Sequence, residues 1–98
     1  MWVLRTTDAE TPRILRVTAG STRTVGRGPR ADFVVDATLL SRMHCRLVAT
    51  DSTLTVEDLE STNGVFVNGA RVARMRLKTG DILRVGRLEL TVALGESP

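Results

Sequence analysis

Aromatic residues are scarce in this chain of 98 residues: Trp2, Phe33 and Phe66 are the whole set, and there is no tyrosine. Three scattered rings make no stacking platform for single-stranded nucleic acid. Cysteine is rarer still. A lone Cys45 excludes an internal disulfide and a cysteine-built zinc site, and it fits a reducing compartment, where it serves as a small apolar filler. No apolar run approaches the ~18 residues that a membrane span needs, and the N-terminus lacks the charged-then-apolar layout of a secretory signal. The chain therefore reads as soluble and intracellular: cytoplasmic, or nuclear if its source is eukaryotic. Of 14 cations only Lys78 is not arginine. The planar arginine fork suits phosphate or carboxylate, although a GC-rich genome gives the same bias. The arginines are interspersed with acids and form no basic block, so the net charge of +3 does not mark a specific nucleic-acid reader.

What is present is ordinary globular composition, with 42% hydrophobic and 26% charged residues. The length suits one modest core, expected over 1–94, with 95–98 as a tail or the start of a linker. Short apolar or alternating segments at 2–5, 13–18, 22–25, 31–35, 45–49, 53–57, 65–67, 71–72, 75–77, 82–85 and 88–92 read as strands separated by glycine-bearing turns. Leu88, Leu90, Val92 and Leu94 give the clearest two-residue period, with Glu89 and Thr91 opposite. Trp2 is expected to pack at a sheet edge, and the connector 36–42 has room for one helical turn. Eleven short strands without a convincing helix predict an all-β, eleven-strand antiparallel β-sandwich, whose function must sit on loops at one end.

The chain is organised around 57–69. Asn68-Gly69 carries the strongest short hairpin signal, because both residues tolerate the positive φ of a type I′ turn. Ser61-Thr62-Asn63-Gly64 instead gathers two hydroxyls and an amide at a sheet edge, with Asp58 placed to cap the loop's N–H groups. Earlier, Gly26-Arg27-Gly28-Pro29 cannot continue a strand and must present Arg27 from a loop. Each feature alone has a plain reading: an arginine between glycines is usually a solvated turn residue, and Ser41 or Thr62 a loop-capping hydroxyl. His44 near Ser41 suggests a nucleophile and base, but no third residue orients the histidine.

Gly26-Arg27, Ser41-Arg42-Met43-His44, Ser61-Thr62-Asn63-Gly64 and Phe66-Val67-Asn68-Gly69, in this order and spacing, resemble the forkhead-associated (FHA) domain. The resemblance runs from about Thr24 to Val92. It implies a sandwich of the SMAD/FHA type that binds phosphothreonine peptides at apical loops. It further implies that Arg27, Ser41, Arg42 and Thr62 hold the phosphate and Asn63 the peptide main chain. Gly26, His44 and Gly64 then support the site. The chemistry agrees: a phosphothreonine carries roughly −1.5 to −2 charge and three acceptor oxygens, which call for a fixed cation and several short donors. Leu39 or Leu40 is placed to offer an apolar contact to a residue after the phosphothreonine, unless both turn inward.

The expected function is a non-enzymatic phosphothreonine-binding module mediating phosphorylation-dependent interactions in signalling. Its partner would be a phosphothreonine-bearing protein or peptide, with no cofactor, metal, small-molecule substrate, specific nucleic acid or membrane involved. Such a module is expected to be a monomeric part of a larger protein. The alternative is a domain of the same fold that binds a protein partner through a phosphate-independent surface.

Overall fold

The computed structural model describes residues 1–7 and 12–95. Most of the segment linking the first two expected strands, and of the expected 95–98 tail, lies outside these residues. Eleven strands form: β1 (Trp2–Thr6), β2 (Ile14–Val17), β3 (Thr22–Gly26), β4 (Phe33–Val34), β5 (Cys45–Ala49), β6 (Leu54–Asp58), β7 (Val65–Val67), β8 (Ala70–Val72), β9 (Arg74–Leu77), β10 (Ile82–Val85) and β11 (Leu88–Leu94). They make a six-stranded sheet, β2-β1-β11-β10-β7-β8, and a five-stranded sheet, β4-β3-β5-β6-β9. This is the expected sandwich.

Alternation decides which face of each strand is buried. In β5, Cys45, Leu47 and Ala49 point inward between Arg46 and Val48; in β6, Leu54 and Val56 do so between Thr55 and Glu57. Their side chains meet Leu4, Leu83, Leu90 and Val92 of the other sheet in one apolar core. Each fully buried leucine or valine contributes about 1.5–3 kcal/mol. Outward residues pair across the sheet instead, as Arg46 does with Glu57 at 3.1 Å in the register of β5 and β6. Cys45 is fully enclosed, and burial first, then the nearby Asp58 charge, pushes its thiol from 9.0 up to about 12.

Three local expectations change. First, β4 pairs with β3 in parallel, whereas the other strand pairs among the described residues are antiparallel. Parallel neighbours normally need a long crossover. Here only 27–32 intervenes, and the chain is turned back by Asp32, whose carboxylate accepts from Thr24 N–H (2.8 Å) and hydroxyl (3.2 Å), while Asp32 N–H donates to Thr24 Oγ1 (3.0 Å). The Thr24 backbone N–H is the largest of the causes that hold the Asp32 carboxyl below its usual range. Second, Trp2 is not at an edge: β1 lies between β2 and β11, and the ring is buried with Nε1 donating to Thr50 O at 3.2 Å. Third, 36–42 forms no helix. A turn closes from Leu40 N–H to Ala37 O (3.3 Å), and Leu39 at φ +67° cannot lie in a right-handed helix.

Asn68 (φ +51°) and Gly69 (φ +85°) make the tight β7–β8 turn, and the Asn68 side chain ties it to the rest of the sheet. Its Nδ2 donates to Asp81 Oδ1 (3.0 Å) and its Oδ1 accepts from Ile82 N–H (2.9 Å). No helix is long and apolar enough to cross a membrane among the described residues.

Candidate functional site

At one end of the sandwich the β3–β4 loop, the connector 35–44 and the β6–β7 loop are bonded to one another. The closest approach is at Gly26, where an added Cβ would sit 2.0 Å from the Arg42 carbonyl oxygen. Only a hydrogen fits there. The two backbones then run side by side, with Arg27 N–H donating to Ser41 O (2.9 Å) and Gly28 N–H to Arg42 O (3.0 Å). Arg27 Nε also donates to Leu40 O at 3.1 Å. The guanidinium is thus held at its root, while both terminal NH2 groups remain available on an exposed side chain. Among the described residues no carboxylate pairs with Arg27, Arg30 or Arg42.

His44 joins these loops to the third one. Its Nδ1 accepts from Ser41 N–H (3.0 Å), which leaves the ring proton on Nε2, and Nε2 donates to Gly64 O (2.7 Å). Its own backbone bonds Val25 O and Leu59 N–H. The ring is fully buried, and Nδ1 is occupied by a backbone N–H, so His44 cannot take a proton from Ser41 Oγ. A nucleophile–base pair is therefore excluded on geometry.

The β6–β7 loop has its own internal bonds. Asp58 Oδ1 accepts from Ser61 N–H (2.9 Å), and buried Ser61 Oγ accepts from Gly64 N–H (3.0 Å), where φ is +88°. The loop next reaches across to the connector: Thr62 N–H donates to Ser41 Oγ (3.1 Å) and Asn63 Nδ2 to Leu39 O (3.0 Å). Ser41 Oγ accepts in that bond, so its own hydrogen is free to donate. Thr62 and Asn63 are exposed, and Asn63 keeps its Oδ1 and second amide hydrogen for a ligand.

Arg27, Ser41, Arg42, Thr62 and Asn63 therefore come together at one end, on a frame that includes Gly26, His44 and Gly64. The two leucines separate. Leu40 is 2% exposed and packs in the core, so it is withdrawn as a ligand contact, whereas Leu39 is 50% exposed. The two neighbours thus face opposite ways, one to solvent and one to the core. Ser61, one of the two hydroxyls of the 61–64 cluster, turns inward to brace the loop, and Arg71 is a residue that no motif pointed to. Arg71 lies with Nε 2.7 Å from where a Cβ on Gly64 would be, covering that backbone. The Asn68-Gly69 turn could have shown it, since a two-residue hairpin sets Arg71 opposite Phe66. Among the described residues no group of three or more His, Cys, Asp and Glu side chains is placed to hold a metal ion.

The FHA domain family model matches residues 23–86, which include every one of these loops. The chain belongs to the FHA domain family. It is 41% identical over 71 residues to the ABC transporter ATP-binding/permease protein Rv1747 of Mycobacterium tuberculosis, covering 72% of this chain but only 8% of that protein. Among solved structures, the FhaA FHA domain complexed with the intracellular domain of Rv3910 superimposes with a TM-score of 0.84 at 33% identity, covering 94% of this chain and 99% of that one. An FHA domain solved in an analysis of phosphothreonine-dependent FHA domain interactions gives a TM-score of 0.87 at 31% identity, covering 99% and 100%. These superpositions cover nearly the whole chain.

Proposed function

We propose that this FHA domain binds phosphothreonine-containing proteins, without catalysis, as a phosphorylation-dependent interaction module in intracellular signalling, with residues 1–94 as the functional unit. In this reading the two free NH2 groups of Arg27 form the charged fork to the phosphate, and the hydroxyls of Ser41 and Thr62 donate to its remaining oxygens. Arg42 adds positive charge at the rim. Asn63, steadied by Leu39 O, holds the peptide main chain. Gly26, His44 and Gly64 keep the three loops in register.

The observation that carries this reading is the tether of Arg27. A free arginine side chain carries about 2 kcal/mol of rotamer entropy, much of which is lost when it grips an anion. The bond from Nε to Leu40 O holds the stem before any ligand arrives. Binding then loses less entropy, and the fork is aimed from the start. Titration of a degenerate phosphothreonine peptide library against the domain, beside its unphosphorylated counterpart, tests the reading. Binding that requires the phosphate supports it. Equal binding of the two libraries would replace it with a phosphate-independent surface.

A further inference from the structure

Beside Arg27 lies a recess of about 370 Å³, largely carbon-lined, formed by Gly28, Pro29, Arg30, Arg42 and Met43. Its position follows from the connector, whose successive carbonyls touch different parts of the site. Leu39 O meets Asn63, Leu40 O and Ser41 O meet Arg27, and Arg42 O meets Gly28. Passing along the connector one therefore leaves the amide of Asn63, crosses the guanidinium, and arrives at the recess.

We propose that this recess is a second specificity subsite, which takes an aliphatic side chain of leucine or methionine size from the flank of the bound peptide directed away from Asn63. The inference rests on the phosphopeptide reading above. A peptide with its main chain at Asn63 and its phosphate at Arg27 must send that flank over Gly28 and Met43. The recess is built rather than accidental. Gly28 is buried, and an added Cβ would stand only 3.0 Å from Arg42 Cβ and 3.2 Å from Arg42 O, so glycine there lets the two loops that line the recess pack closely. Pro29 fixes its backbone dihedral, and the half-buried Met43 supplies an unbranched, polarisable wall that adapts to more than one aliphatic shape. Arg30 and Arg42, which also line the recess, are exposed and have no carboxylate partner among the described residues. The recess is separate from Leu39, which lies toward Asn63.

The recess is open on one side, so it buries about half of an aliphatic side chain. That selects leucine over asparagine by about five-fold. The test is an array of phosphothreonine peptides varied singly at the four positions on each side, measured by fluorescence anisotropy against the wild-type domain and against Met43→Gln. Met43→Gln keeps the length of the wall and makes it polar. The expected result is aliphatic preference at one position on one flank, reduced at least three-fold by Met43→Gln, with affinity for the alanine-flanked peptide and selectivity on the other flank unchanged. A Pro29→Ala domain, which trims the opposite wall, should weaken the same preference. Binding of all phosphopeptides with no aliphatic preference overturns the subsite alone, as does a preference that survives both substitutions. Failure of every phosphorylated peptide to bind overturns the phosphopeptide reading and the subsite together.

Discussion

Replacing His44 by alanine tests whether one buried ring holds the three loops together. The substitution removes the acceptor of Ser41 N–H and the donor to Gly64 O, bonds of 3.0 and 2.7 Å. A buried polar group left without a partner costs about 1–3 kcal/mol, and the vacated ring volume adds a packing loss, so about 3–6 kcal/mol is expected. Against the roughly 5–15 kcal/mol available to a small domain, that is a large share. Even a loss of ~3 kcal/mol lowers Tm by roughly 12–24 °C in a chain of this size. Urea denaturation and thermal melts give the stability, and calorimetry below the melt gives the binding. His44→Asn, which can replace one of the two bonds, should fall between alanine and wild type in both. Phosphopeptide affinity should drop beyond the unfolded fraction, because Ser41 and Gly64 lose their common anchor. A stability loss under ~1 kcal/mol with unchanged affinity would refute the reasoning and leave the loops held by their backbone bonds alone.

Three further outcomes follow from the same geometry. Asn68→Ala should cost about 2–3 kcal/mol in urea titrations, through the bonds lost to Asp81 and Ile82 and the positive φ, without altering phosphopeptide affinity, because the turn is at the far end of β7; a change in affinity would count against that separation. Cys45 is held protonated by burial up to about 12 in the folded chain, against 9.0 ordinarily, so its contribution is fully present below pH 9 and is lost as pH rises from there through 12. Melts across that range should show falling stability that Cys45→Ala lacks, and an aromatic disulfide reagent at pH 8 should label the thiol only at the rate of opening; fast stoichiometric labelling of native protein would contradict its enclosure. In the proposed phosphothreonine mode, paired peptides should favour phosphothreonine over phosphoserine by a few-fold, the worth of one buried methyl at about 0.8 kcal/mol, and equal affinity would show that the methyl is left in solvent.

The parts of the fold that the sequence made legible are those encoded within a few residues. The alternation of β5, β6 and β11 and the Asn68-Gly69 turn follow from side-chain period and φ preference. So does the break at Gly26-Arg27-Gly28-Pro29. What escaped depends on tertiary contacts that no side-chain period reports. The parallel β3–β4 pair exists because Asp32 reaches Thr24, and Trp2 left the edge because Ile14–Val17 pairs outside it. The site divides the same way. Arg27, Ser41, Thr62 and Asn63 stand out only through the joint order and spacing of several motifs, since each alone reads as an ordinary loop residue. The split of Leu39 from Leu40 depends on how the connector packs against the core, and the Gly28–Met43 recess is assembled from two loops whose contact no local pattern reports.

The central claim is that Arg27, aimed by Leu40 O and set beside Ser41 and Thr62, reads a phosphate. Isothermal titration of one library-selected phosphothreonine peptide into wild-type domain, Arg27→Ala and Arg27→Lys tests it most directly, with melts confirming that each variant is folded. A charged hydrogen bond is worth about 1.5–3 kcal/mol, so alanine should weaken binding by roughly 10- to 150-fold. Lysine, which keeps the charge but loses the fork and the Nε tether, should fall between. Unchanged affinity in folded Arg27→Ala, or wild-type binding of the unphosphorylated peptide at equal strength, would contradict the account.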